Sequence, residues 1–547
     1  MRFDQSWLAR LRVALVARPI PDELWVLGAV IAVAAAIRIL TIDNQSFWTD
    51  EALTAYEAGL PFGAMLKAVG HVETTPPLYF VLIWGWTKLF GTSEVAFRSV
   101  STLAGIALVP LAYFSARELV SRWAGVIAAA LVAVNPFLIW YSQEARAYML
   151  LAALTGAAFL WFIRARRDPS ARNLTWWAVF SALAVMTHFF AGFAIAPEAL
   201  WLLWLARVRP HTRARTGIAV GVVAAAQGAM VPFAFVDTSH GPGWIAAIPR
   251  GHRIEELSLE WGVDLLTRRI APVYGLIGGA IVIALAVLLL AGAERHRRTG
   301  AGVAAVIAAC VFLIPLALGF VGQDYFYVRN EIPAFVPLAT VIAAACVAPR
   351  ARPFRGALAG APAILSGALT LLGGALAAAL LALFCYSTVT VQTMVQLQRP
   401  EWASVARALG PAPVPRAILA AGGEQADPLK LYLPGVSWVQ ARARQELVTE
   451  IDVIGVRRPV PVVSPGQDRT GSASAGATQA RGAPVPGSVA PAGATLVSRF
   501  RVHNWIVARF ALQRPALLSI DQLSHLAPGF LRHTPMALLI FVQRPQG

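Results

Sequence analysis

Asp50 and Glu51 are adjacent carboxylates in Ser46-Phe47-Trp48-Thr49-Asp50-Glu51-Ala52, eight residues beyond the apolar run Leu24–Ile42. Ionised groups beside hydrocarbon are costly and usually serve a function. One of this pair could take the proton of an attacking hydroxyl, the work of a general base. The two acids would equally suit the first turn of a helix, where they meet the positive end of its dipole.

Three further polar segments carry chemically useful residues. His71 and Glu73 precede Thr74-Thr75-Pro76-Pro77-Leu78-Tyr79, and could bind a sugar or an anion, or only cap a helix. Pro76-Pro77 is a helix start. Trp140-Tyr141-Ser142-Gln143-Glu144-Ala145-Arg146-Ala147-Tyr148 lies between two apolar runs. Read as the first turn of a helix, it puts Gln143 with Arg146 and Glu144 with Tyr148 on shared faces. These groups either face an aqueous cavity or satisfy one another, Glu144 pairing with Arg146. Gln323-Asp324-Tyr325-Phe326-Tyr327-Val328-Arg329-Asn330-Glu331 ends at the mouth of a Pro-containing run. Arg329 there suits a phosphate, through bidentate charge-assisted bonds, or snorkelling at a membrane interface. His188 fits a hydrogen-bonded structural role better than a ligand, and Glu198 has no evident partner.

The chain that must position these groups is built for lipid. Of 547 residues, 57% are hydrophobic and only 14% charged, against about 25% charged in soluble domains. Runs such as Leu24–Ile42, Val303–Val321 and Ala357–Cys385 reach the roughly 20 residues that cross a hydrocarbon core. No small-residue cleavage site follows the Arg-rich start, so a removable signal peptide is not expected. The net charge of +17 collects in short loops, at Arg164–Arg167, Arg207–Arg215, Arg295–Arg298 and Arg350–Arg355. Basic loops mark the cytoplasmic side, which accounts for the charge without a nucleic-acid partner. The acids, including Asp43, Asp50, Glu51, Glu57, Glu73, Glu144, Asp324 and Glu331, fall in the alternate loops. Cys310, Cys346 and Cys385 lie in apolar runs with no metal or disulfide spacing, and read as small packed residues.

Loop charge places residues 1–20 in the cytoplasm and Asp50 outside. About eleven spans follow, near 24–42, 99–116, 122–140, 150–163, 174–190, 193–206, 217–236, 270–292, 302–321, 332–348 and 357–386. Pro77–Phe90 is too short and has no parity to cross, so it reads as a juxtamembrane helix packed beside Asp50 within an outer loop, 43–97. The transmembrane unit occupies 21–390. Outer loop 237–269 is a candidate lid. From 396 to 547 the composition becomes that of an external soluble α/β domain. It has a helix at 402–409, strands at 417–421, 501–511 and 536–542, and a disordered Pro/Gly/Ala/Ser insertion at about 459–494.

Taken in order, Asp50-Glu51, Thr75-Pro76-Pro77-Leu78-Tyr79, Phe90-Gly91 with Arg98, Tyr141 through Tyr148, His188 and Tyr327-Val328-Arg329 resemble a known family. The set is similar to the GT-C superfamily of membrane glycosyltransferases, and within it to the protein O-mannosyltransferase and aminoarabinose transferase group. The likeness covers about residues 20–350. It implies an all-α polytopic membrane protein with an extracytoplasmic soluble domain, in a bacterial inner membrane. It also implies an inverting glycosyltransferase that takes a sugar from a polyprenyl-phosphate donor. Carried over by position, Asp50 is the general base, and Glu51 orients the acceptor or sustains the local network. Arg146 and Arg329 face the lipid phosphate. Gln143, Glu144 and Tyr148 shape the sugar pocket, with Tyr141, His188, Tyr327, His71 and Glu73 as further binding positions. No metal or other cofactor is implied. No second Asp-x-Asp motif and no lysine-rich loops are present, which leaves the acceptor open between glycan, lipid and protein. A flippase of lipid-linked sugars, or a polymerase or ligase of lipid-linked glycans, would draw on the same substrates.

Overall fold

The computed structural model describes residues 21–73, 75–234, 243–254, 293–347, 363–394, 397–421, 426–433, 435–438, 445–456, 493–502, 505–519, 522–523 and 538–545, with isolated positions between 279 and 290. Among the described residues, eight helices are long and apolar enough to cross a membrane, and a bent pair would make a ninth. The chain is therefore a multi-pass helical membrane protein. Tyr148–Arg167 and Val328–Val347 are the most enclosed spans, at 78% and 83% buried, whereas Asp22–Leu40 is 22% buried and lies at the edge. The central helices meet in one core that includes Leu108, Ala112, Tyr113, Phe159, Phe162, Trp177, Val336 and Ala343. Ala171–Thr187 has 17 residues, and most of the expected span at 270–292 lies outside the described residues. Cys346 is buried, but Cys385 is exposed on its apolar helix, the surface a lipid chain would cover, so it is not packed as the sequence implied.

The expected span at 122–140 is not continuous. Arg122–Val134 and Pro136–Ser142 meet at 59°. Pro136 has no N–H to give the carbonyl four residues earlier, and the residue before a proline avoids helical geometry. Asn135 accordingly sits at φ −65°, ψ 123°, and its side chain caps the second helix by accepting from the Leu138 N–H at 3.1 Å. The carbonyls left at the break find other donors. Arg38 donates to Val132 at 3.3 Å and to Ala133 at 2.8 Å, and Thr388 to Val134 at 3.1 Å. The second helix ends at Ser142, and residues 143–147 form turns and bends rather than the helical start the sequence implied.

Between the first two long spans lie three short helices, Thr49–Gly59, Phe62–Val72 and Leu78–Phe90. The last has 13 residues, too few to cross. It buries Tyr79, Phe80 and Ile83 in a cluster with Phe47, Met65, Val69, Phe97, Val100 and Ala147, and packs on Thr49–Gly59. Gly91 stops it at φ 83°, a backbone conformation that side-chain-bearing residues rarely adopt.

Beyond the last long helix, Ala363–Thr393, the fold changes to a helix at Trp402–Leu409 and a six-stranded sheet. The strands are β1 (Arg416–Ala421), β2 (Val436–Trp438), β3 (Gln445–Val456), β4 (Ala494–Val502), β5 (Trp505–Ser519) and β6 (Leu538–Gln543). Their spatial order is β2-β6-β1-β3-β5-β4, with β1 and β3 parallel and the other neighbours antiparallel. Alternation along β1 feeds two cores. Ile418 and Ala420 join Trp402, Val405 and Leu409, while Ala417 and Leu419 join Ile451, Val453 and Phe510. The strand expected over 501–511 is in fact the meeting of β4 and β5, which pair antiparallel from Val502 and Trp505. Strand β3 was not foreseen. The insertion at 459–494 lies outside the described residues apart from its last two positions, with Ala494 opening β4.

Candidate active site

The two adjacent carboxylates have opposite surroundings. Asp50, in the first turn of Thr49–Gly59, is 29% exposed, and its Oδ2 lies 3.6 Å from Nη1 of Arg329. The Arg329 guanidinium in turn lies over the rings of Tyr148 and Tyr327, at 5.3 and 5.7 Å from their centres. Arg329 reaches this point from a 3-10 segment, Val328–Ala334, that leads into the next span. A part-exposed carboxylate thus faces a cation held on aromatic faces.

Glu51 is fully buried. Arg98 donates to it twice, Nε to Oε1 at 2.8 Å and Nη2 to Oε2 at 2.7 Å. The remaining Arg98 donors go to the carbonyls of Ile42, Gln45 and Ser46, at 3.0, 2.6 and 3.1 Å. All five guanidinium N–H groups are therefore spent on one loop. The Ala145 N–H donates to Glu51 Oε1 at 2.9 Å, and Arg399 Nη1 lies 3.6 Å from Oε2. Burial would raise the Glu51 carboxyl, but Arg98, followed by Arg399 and the Ala145 N–H, holds it below the usual carboxylate value.

The segment 143–147 sends its charges in two directions. Glu144 and Arg146 do not pair with each other as one sequence reading allowed. Arg146 forms a bidentate pair with Glu73 at 2.5 and 2.8 Å and reaches Thr54 Oγ1 at 3.3 Å. Glu144 Oε2 takes Nη2 of Arg399 at 2.5 Å, and its Oε1 is buried with no hydrogen-bond partner among the described residues. Burial pushes the Glu144 carboxyl up to about 7 against the pull of Arg399, with Glu51 and Asp50 adding to the rise. Gln143 is a brace. It donates to Thr41 Oγ1 and accepts from Gln392 at 3.0 Å.

Aromatic rings close the other side. Tyr148 packs edge-on against Tyr141 at 5.3 Å and lies 5.7 Å from the His188 ring. His188 Nδ1 accepts from the Phe190 N–H at 3.3 Å. Tyr327 is buried beneath Arg329. His71 is exposed in the last turn of Phe62–Val72. The structure thus brings Asp50, Glu51, Glu73, Tyr141, Gln143, Glu144, Arg146, Tyr148, His188, Tyr327 and Arg329 around one centre, while His71 stands on the outer surface of its helix. Among the described residues, no group of three or more His, Cys, Asp or Glu is placed to hold a metal ion.

Two functional candidates escaped the sequence reading. Arg399 comes from the join between the last long helix and the sheet domain, and its only local signal is an arginine just before Pro400. Glu57, one helical turn and a half beyond Glu51, is buried with both oxygens lacking a hydrogen-bond partner among the described residues. Burial first, then Glu73, raises its carboxyl to about 8, with Arg146 opposing.

Residues 74–233 match the family model described as dolichyl-phosphate-mannose-protein mannosyltransferase. The chain resembles the GT-C glycosyltransferases of that kind. The mannosyltransferase-like stretch holds Glu144, Arg146, Tyr148 and His188, with Asp50 before it and Arg329 beyond it. No curated protein matches the chain. Among solved structures, the apo state of ArnT from Cupriavidus metallidurans is 13% identical, over 90% of this chain and 98% of that one, at a TM-score of 0.49. The sugar-donor-bound protein O-mannosyltransferase Pmt1-Pmt2 complex of S. cerevisiae is 17% identical over 43% of this chain, at 0.34. The oligosaccharyltransferase AglB of Archaeoglobus fulgidus, with an inhibitory peptide and a dolichol-phosphate, is 16% identical over 67%, at 0.40. The chain spans 38% of the yeast chain and 56% of the archaeal one.

Proposed function

We propose that the protein is an inverting glycosyltransferase that moves a sugar from a polyprenyl-phosphate donor to an acceptor hydroxyl. The reaction takes place at the extracytoplasmic face of a bacterial inner membrane. The observation that carries this reading is the facing of Asp50 and Arg329, a part-exposed carboxylate and a guanidinium 3.6 Å apart at the mouth of the spans. Arg329 is placed to trade the carboxylate for the donor phosphate, a better bidentate partner. That exchange releases Asp50 to act as base. The acceptor oxygen attacks the anomeric carbon on the side opposite the phosphate, and its proton passes to Asp50. The bond from that carbon to the phosphate oxygen breaks, and the electron pair leaves on the phosphate, where Arg329 meets the growing charge.

Burial and saturation support a positioning role for Glu51 rather than contact with substrate. Arg146, already paired with Glu73, is placed to shape the pocket more than to receive phosphate. Tyr148 and Tyr327, beneath the Arg329 guanidinium, and Tyr141, against Tyr148, support the wall of the pocket. The acid-rich loops and the sheet domain lie together in this reading, outside the cytoplasm, because the basic loops take the other side. Acceptors open to such a site are a glycan, a lipid or a protein hydroxyl.

The test is to supply the purified chain in lipid with polyprenyl-phosphate sugars of several kinds and a membrane extract as acceptor source. Release of polyprenyl phosphate and a product of inverted anomeric configuration supports the reading. Movement of intact lipid-linked sugar across the bilayer without bond cleavage overturns it.

A further inference from the structure

Arg399 stands where the transmembrane unit gives way to the sheet domain, yet its guanidinium lies inside the site, only 7% exposed. It lies 2.5 Å from Glu144 and 3.6 Å from Glu51, and donates to the Gln143 carbonyl at 3.1 Å. It is stacked between two indoles, 4.4 Å from the centre of Trp140 and 5.6 Å from that of Trp48. Trp48 immediately precedes the helix that bears Asp50. Two buried carboxylates in one place repel each other and cannot both stay ionised without a shared cation. Glu51 has a second cation in Arg98; among the described residues, the one cation within hydrogen-bond distance of Glu144 is Arg399.

The backbone around Arg399 is stitched to the same loop. Its N–H donates to Gln45 Oε1 at 2.9 Å. Ser46 donates to Glu401 at 3.2 Å and to the Pro400 carbonyl at 3.1 Å, and the Trp402 N–H donates to Ser46 Oγ at 2.8 Å. From farther into the sheet domain, Tyr432 accepts from the Phe47 N–H at 2.8 Å and donates to Glu94. Gln45 and Ser46 are thus bonded to the segment that begins the sheet domain, and Phe47 to Tyr432 within that domain.

We propose that Arg399 is a positioning residue for the reaction: by neutralising Glu51 and Glu144 together it fixes the Trp48–Asp50 turn, which makes the attachment of the sheet domain part of the catalytic centre. The proposal rests on the glycosyltransferase reading for its kinetic consequence, but not for its structural one. Without the cation, Glu144 is left as a buried carboxyl with no partner beside Glu51, and the turn carrying Asp50 shifts to relieve it.

The experiment compares the full chain with Arg399→Gln, Arg399→Lys and the double variant Arg399→Gln/Glu144→Gln, all in lipid. Hydrogen exchange of the peptide covering 44–52 and sugar-transfer kinetics are both read. In Arg399→Gln the 44–52 amides exchange faster. Its kcat falls by about 10²-fold, the cost of a misplaced reacting group, while the donor KM changes little. Arg399→Lys keeps part of the rate. Removing the stranded carboxyl in the double variant recovers part of both losses, the non-additivity expected of groups in contact. Unchanged exchange in Arg399→Gln, or a loss that the Glu144→Gln change does not relieve, overturns the proposal. A wild-type chain that transfers no sugar overturns the glycosyltransferase reading instead, and the exchange data still decide the fate of the turn.

Discussion

Glu51 is enclosed by Arg98 through two charge-assisted hydrogen bonds of 2.8 and 2.7 Å, in a pair whose side chains are 0% and 1% exposed, while its neighbour Asp50 faces outward. Two consecutive carboxylates thus sit in opposite surroundings, one enclosed and one part-exposed. Removing one partner of a buried pair strands the other, at about 3–5 kcal/mol. Glu51→Ala is therefore predicted to destabilise the protein by that amount, read as a lowered melting temperature in detergent. Asp50→Asn, at a part-exposed position, changes stability by no more than about 0.5 kcal/mol.

The proposed reaction has Arg329 meet the donor phosphate, so its loss should show in donor terms. Arg329→Gln is predicted to lower kcat by about 10²–10³-fold, the usual cost of one group that stabilises transition-state charge. The donor KM rises and the acceptor KM does not. Arg329→Lys recovers only part, because an ammonium lacks the planar fork. Steady-state kinetics with each substrate varied in turn distinguishes these effects.

Glu57 gives a pH-dependent stability with a definite sign. Its carboxyl rises from 4.5 to about 8, through burial and then Glu73, so the native state holds the proton more tightly than the unfolded chain. The unfolded state binds fewer protons across that window, and stability is lost as pH increases from about 4.5 to 8. Glu57→Gln removes the effect. Its advantage over wild type is predicted to be absent at low pH and to grow to on the order of 1–3 kcal/mol above pH 8, measured by thermal unfolding across pH.

Gly105 lies on the long helix Glu94–Leu119 against the broken span. A methyl group there would collide with Ser142 Oγ and come within 3.0 Å of Arg38 Nε. Ser142 cannot swing aside freely, since it donates to Leu138 at 2.6 Å and accepts from Arg38 at 3.0 Å. Gly105→Ala is predicted to cost about 1–3 kcal/mol, the price of overpacking a filled core, in the same melting assay.

Much of this architecture was legible in the chain. Apolar runs gave the spans because hydrophobic length is a local property, and a lone acidic pair beside hydrocarbon marked the loop that matters. Asn135-Pro136 is a breaker inside the run at 122–140 that the sequence reading passed over. What was not legible depends on distant partners. Nothing local to Arg146 names Glu73, 73 residues away, and nothing local to Arg399 names Glu144, 255 residues away. The opposite fates of Asp50 and Glu51 likewise follow from where Arg98 and Arg329 arrive, which only packing decides. Strand β3 was overlooked because Gln445–Val456 mixes acids with β-branched residues on a strand whose neighbours, β1 and β5, are set by tertiary pairing.

The most direct test of the account is sugar transfer from a radiolabelled polyprenyl-phosphate donor by wild type and Asp50→Asn, purified in lipid and matched for folding. Asp50→Asn is predicted to lose transfer by at least about 10²-fold, the range of general-base catalysis, while still binding the donor lipid. Equal rates in the two proteins would contradict it, and would remove Asp50 from the chemistry.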